Sequence, residues 1–371
     1  MEFYVHRSDL LKELEFAEGS VGKKTTVPIL SHVLLEPAES NVRLSATDLE
    51  LGTRSTCPAR VKAAGVATVP ARRLIEILRA LPDAEVRFRL LENCGIHVTC
   101  ERSSFRLVGL AKDNFPALPV LPQSQAELTA GLLKQLLERR RFAVSEEENR
   151  FTLNGALLLL NPGTVNMVAT DGHRLALVEK EQSFARLTTE VRLLIPKRTL
   201  DALYRVVAEA AAEASISITS DQRHMFFSVG DRLLISRLLT GTFPNYDSVL
   251  PRENNKILEL DRDQVRAALR RVSLLASEQS NAVRLLLEKD RLEITSSGGE
   301  YGEATEILDA RNDHDPVKIG FNYRYLLDFF DVVGSNRRIR MTLKDEQSSV
   351  EFQPEEQDGV RYRYVVMPLR L

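Results

Sequence analysis

The sequence is poor in the features that mark a secreted, membrane-bound or metal-stapled protein. Its three cysteines, Cys57, Cys94 and Cys100, are too few for a disulfide framework, and the spacing of the last two matches no common zinc motif. They read as reduced thiols in or near strands. No apolar run approaches the roughly 18 residues that a membrane helix needs. Residues 1–11 alternate charged and apolar side chains and lack the basic-then-apolar plan of a secretory signal, so a cytoplasmic protein is expected. A Gly-x-Ser-x-Gly elbow, a phosphate-cradling glycine loop and a His-Glu-x-x-His pair are all missing, which argues against an enzyme and leaves no expected metal or cofactor. A basic excess is missing too. The net charge is −2 and the sequence pI about 6.4, whereas a broad grip on nucleic acid calls for a strongly basic domain. Any cationic surface must therefore be segregated from the rest.

What the chain does have is length and a faint internal repeat. Its 371 residues allow two or three domains, each able to bury a core. A strand ending that runs into a helix occurs three times, with Leu74, Leu200 and Leu326 at equivalent places. Upstream, Thr47, Thr170 and Thr295 close similar strands, the first two within Ala-Thr-Asp. A third marker follows each helix: Phe115-Pro116, Phe243-Pro244 and Met367-Pro368. Three markers in one order with nearly one period indicate three homologous units. Period-2 stretches such as Glu85-Val86-Arg87-Phe88 bury one face, and 3.6-period stretches supply helices, so each unit is α+β with antiparallel sheets. Breaks in periodicity at 115–122 and 250–256 set the expected domains at 1–122, 123–251 and 252–371.

Charge is unevenly distributed. Six candidate helices, 7–18, 70–82, 129–143, 196–212, 262–275 and 322–333, together carry +6, which leaves −8 for the remainder. In the fifth, Arg262, Arg266 and Arg270 recur at i, i+4 and i+8 opposite Val265, Leu269 and Val272, which predicts one basic and one buried face.

Several segments carry a family likeness: Thr26-Val27-Pro28-Ile29-Leu30, Ala46-Thr47-Asp48-Leu49-Glu50, Leu153-Asn154-Gly155, the block from Val168 through Thr170-Asp171-Gly172-His173-Arg174 to Ala176, Phe243-Pro244-Asn245-Tyr246, Gly320-Phe321-Asn322 and the segment 364–371. Along its whole length the chain resembles the beta subunits of bacterial DNA polymerase III, the sliding clamps. The resemblance implies three clamp domains per chain and a head-to-tail homodimeric ring, with helices inside and antiparallel sheets outside, that encircles double-stranded DNA.

It further implies sites. Lys24, Arg72, Arg73, Arg150, Lys197 and Arg198 would face DNA and meet phosphates without reading bases. Phe105 and Leu107 would pack on Leu274 and Leu275 of the other chain, with Arg102 and Arg106 towards Glu300, Glu303 and Glu306. Short peptide motifs of the polymerase III core, the clamp loader, other polymerases and repair proteins would enter a pocket between the second and third domains. That pocket would be lined by Leu153, Thr170, Gly172, His173, Arg174, Leu175, Pro244, Val249, Asn322, Tyr325, Ser349, Val365, Met367, Pro368 and Leu369, with Arg174 helping to orient the peptide. Ser248, Ser280 and Gln347 depart from the family pattern at its rim and leave the peptide preference open. Glu146-Glu147-Glu148 places an acidic run beside Arg150. Two rival readings are a hydrolytic site built on Asp171 and His173 and a peptide-binding scaffold that does not enclose DNA.

Overall fold

A computed structural model describes residues 1–22, 25–147, 149–311, 314–334, 337–357 and 359–370. Lys24 and Glu148, and the side chain of Glu300, lie outside the described residues. The described residues include six α-helices, α1 (Arg7–Glu18), α2 (Ala71–Ala80), α3 (Ala130–Glu138), α4 (Lys197–Glu209), α5 (Arg262–Val272) and α6 (Tyr323–Val332). All six candidate segments are helical. The third is shorter than expected: α3 ends at Glu138, Arg139 and Arg140 turn inward and are buried, and a single 3-10 turn covers Arg141–Ala143.

The chain forms two compact units, 1–133 with 201–238 and 134–200 with 239–371. In the first, an eight-stranded sheet runs in the order Ala126–Thr129, Ser215–Ser220, His224–Val229, Arg232–Arg237, Leu51–Pro58, Asn41–Thr47, His32–Ala38, Ala67–Pro70. A second sheet runs Arg60–Ala63, Glu2–His6, Glu85–Leu90, Ile96–Cys100, Ser103–Leu107. Every pairing is antiparallel. The register that sets Leu234 opposite Thr53 unites strands of the first and second sequence repeats in one sheet. Helix α2 shows why the segment folds as it does. Ala71, Leu74, Ile75 and Leu78 recur at i, i+3, i+4 and i+7 and are all buried, each large side chain contributing about 1.5–3 kcal/mol on leaving water.

The second unit repeats the plan. Its eight-stranded sheet runs Val191–Pro196, Gly155–Asn161, Thr164–Thr170, Arg174–Glu181, Arg361–Val366, Val350–Pro354, Arg338–Leu343, Lys256–Asp261, and a four-stranded sheet runs Glu303–Asp309, Arg291–Ser297, Ala282–Glu288, Val317–Asn322. Asp261 and Asn322 start α5 and α6 by accepting the main-chain N–H of Gln264 (2.9 Å) and Arg324 (3.0 Å). Helix α6 buries Leu326, Phe329 and Phe330, and Phe329 stacks on Tyr364 with ring centres 5.2 Å apart. Leu74, Leu200 and Leu326 are each the fourth residue of their helix and each buried, so the marker that located the repeat is an anchor of the core.

Candidate functional site

The Thr-Asp marker builds a turn. Thr170 Oγ1 donates to the Arg174 carbonyl (2.7 Å) and accepts the Gly172 N–H (3.1 Å), while Asp171 Oδ1 accepts the main-chain N–H of His173 and Arg174 (2.9 and 3.0 Å). Thr47 and Asp48 make the same bonds to Leu51, Leu49 and Glu50 in the first repeat. The third residue of the turn has positive φ in both copies, 79° at Leu49 and 91° at Gly172. At Gly172 a Cβ would also stand 2.5 Å from Arg150 Nη1, so a side chain there would both strain the backbone and displace the Arg150 guanidinium.

This geometry removes the hydrolytic reading. Asp171 meets His173 through the histidine main-chain nitrogen, and its second oxygen accepts from Arg174 Nε at 2.9 Å. The His173 ring instead stacks on Tyr325, 6.4 Å between centres. A carboxylate spent on a turn does not orient an imidazole as a general base.

Arg174 is the hub of the turn. Its side chain is 9% exposed; Nη1 reaches Asp328 Oδ2 at 2.5 Å, Nη2 donates to the Phe142 carbonyl at 2.6 Å, and the guanidinium lies 4.3 Å from the centre of the Tyr325 ring. Burial works against its charge, but Tyr364, Asp328 and Asp171 outweigh that and hold its pKa above the ordinary arginine value. Nε, Nη1 and Nη2 all bond within the chain, so the guanidinium ties Tyr325 and α6 to the turn.

Beside the turn, Leu153, Leu175 and Val365 join Leu157, Leu159, Val168, Leu177, Leu194 and Phe243 in one apolar cluster, with partly exposed Leu239, Tyr246 and Leu250 against it. Leu175 and Val365 are cross-strand partners. Pro244 and Val249 follow Phe243 in the chain and are exposed, Val249 by 42%. The final strand continues past Val366 with Met367 N–H donating to the His173 carbonyl (2.8 Å), and Leu369 N–H to the Gly320 carbonyl (2.8 Å), which leaves Pro368 between two anchored residues and Met367 47% exposed. Asn322 belongs to this region as the cap of the helix that bears Tyr325. Ser349 precedes Val350, the cross-strand partner of Val366, and its carbonyl accepts from Asn254 Nδ2 at 3.1 Å. At the three departing positions, Ser248 Oγ donates to the Asn245 carbonyl (2.7 Å), Ser280 Oγ accepts the Ala282 N–H (3.3 Å), and Gln347 N–H goes to Asp345 (2.9 Å). Sequence reasoning missed Asp328, Leu157 and Leu194. Tyr325 and Asp328 sit at i and i+3 on α6, a spacing that puts them on one face and could have named the partner of Arg174.

The cations assigned to DNA are less free than their sequence positions suggest. Arg72 and Arg73 are exposed in the first turn of α2, and Arg73 pairs with Glu76 at 2.7 Å. Lys197 and Arg198 open α4; Lys197 is held by Glu146, whose carboxyl that contact keeps below the usual range. Arg150 Nε lies 3.0 Å from Glu147, and its Nη1 donates to the Asp171 carbonyl at 2.7 Å. The expected basic face of α5 is also largely neutralised. Arg266 and Arg270 share Asp331 of α6, and Arg262 is spent on Asp263 and the Phe330 carbonyl.

At the sheet edges, Phe105 and Leu107 are half-buried on Ser103–Leu107, Leu274 is 81% exposed, and Leu275 is half-buried. Glu306 is gripped by Arg271 of its own chain through both carboxylate oxygens, at 2.6 and 3.0 Å, so an arginine from another chain would have to share it. Among the described residues, no group of three or more His, Cys, Asp or Glu is arranged to hold a metal, and no helix is long and apolar enough to cross a membrane.

Comparison with known proteins agrees with this architecture. Residues 1–119 match the N-terminal domain family of the DNA polymerase III beta subunit, 127–245 its central domain and 247–370 its C-terminal domain. The chain is 34% identical to the beta sliding clamp of Pseudomonas aeruginosa over 375 residues, and 34% identical to that of Escherichia coli over 375, each match covering 100% of both chains. The crystal structure of the DNA polymerase III subunit beta from Pseudomonas aeruginosa superposes with a TM-score of 0.93 at 34% identity, and that of the sliding clamp from Caulobacter crescentus with 0.92 at 32% identity, again over 100% of both chains. The chain belongs to the DNA polymerase III beta subunits, the beta sliding clamps, which are non-catalytic processivity factors of that polymerase.

Proposed function

We propose that two copies of this chain close head to tail into a ring around duplex DNA, each contributing domains at 1–122, 123–251 and 252–371. The observation that carries the reading is a pair of unfilled sheet edges. Among the described residues, Ser103–Leu107 and Glu303–Asp309 each end a sheet with one side unpaired. Exposed backbone donors and acceptors of this kind invite strand pairing, and joining the two kinds of edge between copies satisfies both. Leu274 and Ile307, 81% and 56% exposed, give the second edge an apolar flank for Phe105 and Leu107. A heterologous contact made twice closes the ring.

Inside such a ring Lys24, Arg72, Arg73, Arg150, Lys197 and Arg198 meet phosphates without base contacts, which lets the ring slide. A short peptide of the polymerase III core, the clamp loader, another polymerase or a repair protein inserts apolar anchors over Leu153, Leu175 and Val365, between the Thr170–Arg174 turn and Met367. An apolar cluster whose rim offers an adaptable methionine suits several partners. Such partners place the protein in the cytoplasm. Native mass spectrometry tests the assembly: the expected species contains two 41.8 kDa chains, and a spectrum of monomers alone at micromolar concentration rejects it.

A further inference from the structure

Three of the cations assigned to DNA are already paired with carboxylates, and for two of them the counterions come from one loop. Glu146 pairs with Lys197 and Glu147 with Arg150, residues of a three-glutamate run in the sequence. Neither pair is buried. Lys197 and Arg150 are each 38% exposed, and the glutamates 79% and 52%. Pairs of this kind contribute little to folding and exchange readily. Arg150 is also anchored independently, through Nη1 on the Asp171 carbonyl, so Glu147 is not needed to position it. The packing therefore gives no reason for the two carboxylates, while their placement on proposed phosphate contacts does.

We propose that Glu146 and Glu147 are built-in counterions that DNA phosphates displace, and that they loosen the ring's grip on the backbone and make it less dependent on salt. The inference rests on the reading of Lys197 and Arg150 as DNA-facing. An ordinary lysine–phosphate contact releases a condensed cation from DNA and steepens the salt dependence by about 0.9 per contact. When the lysine must first give up a carboxylate, the freed carboxylate recruits a cation in its place, and that release is largely cancelled. A ring retained by topology gains from such weakening, because each phosphate contact broken during sliding costs less.

The test is a titration of a short fluorescent duplex with the full-length protein, read by anisotropy at salt from about 50 to about 200 mM. Glu146→Gln is expected to tighten binding roughly twofold to fivefold at the lower salt and to steepen the log–log slope by about 0.9, with a similar increment from Glu147→Gln. In a Lys197→Ala background the gain from Glu146→Gln should vanish. If the gain persists there, the carboxylate acts through general charge and the counterion role is wrong. If Lys197→Ala weakens binding but Glu146→Gln changes neither affinity nor slope, the DNA face stands and the inference fails. If Lys197→Ala itself has no effect, the DNA-facing reading fails first.

Discussion

Arg174 and Asp328 lie 154 residues apart in the sequence and meet with Nη1 2.5 Å from Oδ2. One stands at the start of a strand of the second repeat and the other on the helix of the third, so a single ion pair joins the Thr170–Arg174 turn to α6 and fixes Tyr325 between them.

Removing Arg174 should therefore damage the fold before it damages recognition. Arg174→Ala is expected to cost about 2–3 kcal/mol, below the usual 3–5 for a broken buried pair because Asp328 is 40% exposed and water can relax around it. Arg174→Lys should recover little, since an ammonium lacks the planar fork that reaches Asp171, Asp328 and the Phe142 carbonyl at once. Thermal melts of both variants check this; an unchanged midpoint for Arg174→Ala would show that the pair is idle.

Partner binding should depend on the exposed apolar groups of the proposed pocket. Met367→Ala and Val249→Asp are each expected to lower the affinity of a polymerase-derived peptide by roughly tenfold or more with little change in melting, as both side chains are about half exposed. Deleting 367–371 should abolish binding, but it also removes the bonds to the His173 and Gly320 carbonyls and about 1 kcal/mol for each. Calorimetry with the point variants separates the two effects. Affinity within twofold of the parent in both would move the site elsewhere.

The repeat was legible in the sequence because Leu74, Leu200 and Leu326 do identical work, filling the core from the fourth position of a helix. The apolar strip was legible through the Thr-Asp turn and the Pro markers. What the sequence did not reveal were long-range polar pairings. Nothing in the i, i+4, i+8 row of Arg262, Arg266 and Arg270 announces Asp331, and nothing near Lys197 announces Glu146, because such partners are set by tertiary approach and not by local periodicity. Charge counted along helices thus overstated the cationic surface.

Assembly should fail without unfolding when the exposed flank is charged. Leu274→Asp places a carboxylate on a side chain that is 81% exposed in the single chain, so protomer stability should hold while the dimer loses several kcal/mol. Sedimentation velocity at micromolar concentration should give monomers; a dimer indistinguishable from the parent would put the interface on another surface.

The cysteines should differ sharply in reactivity. Burial first, with Asp9 and Glu13 adding to it, pushes the Cys57 thiol up to about 12, burial also raises Cys100, and Cys94 is exposed. At pH 8 a thiol reagent should label Cys94 alone in the native protein and all three after unfolding. Between the unfolded thiol value of 9.0 and about 12 the unfolded chain loses the Cys57 proton first, so this group's contribution to stability should fall as pH rises through that window. Rapid native labelling of Cys57 would contradict its burial.

Encirclement of DNA is tested most directly by topological retention. Protein assembled on nicked circular plasmid with a clamp loader should co-elute with the DNA through gel filtration at salt high enough to suppress phosphate contacts, and a single restriction cut should release it as the ring slides off the ends. Loss from circular and linear DNA alike, governed by salt and not by the cut, would show that the chain binds DNA without enclosing it.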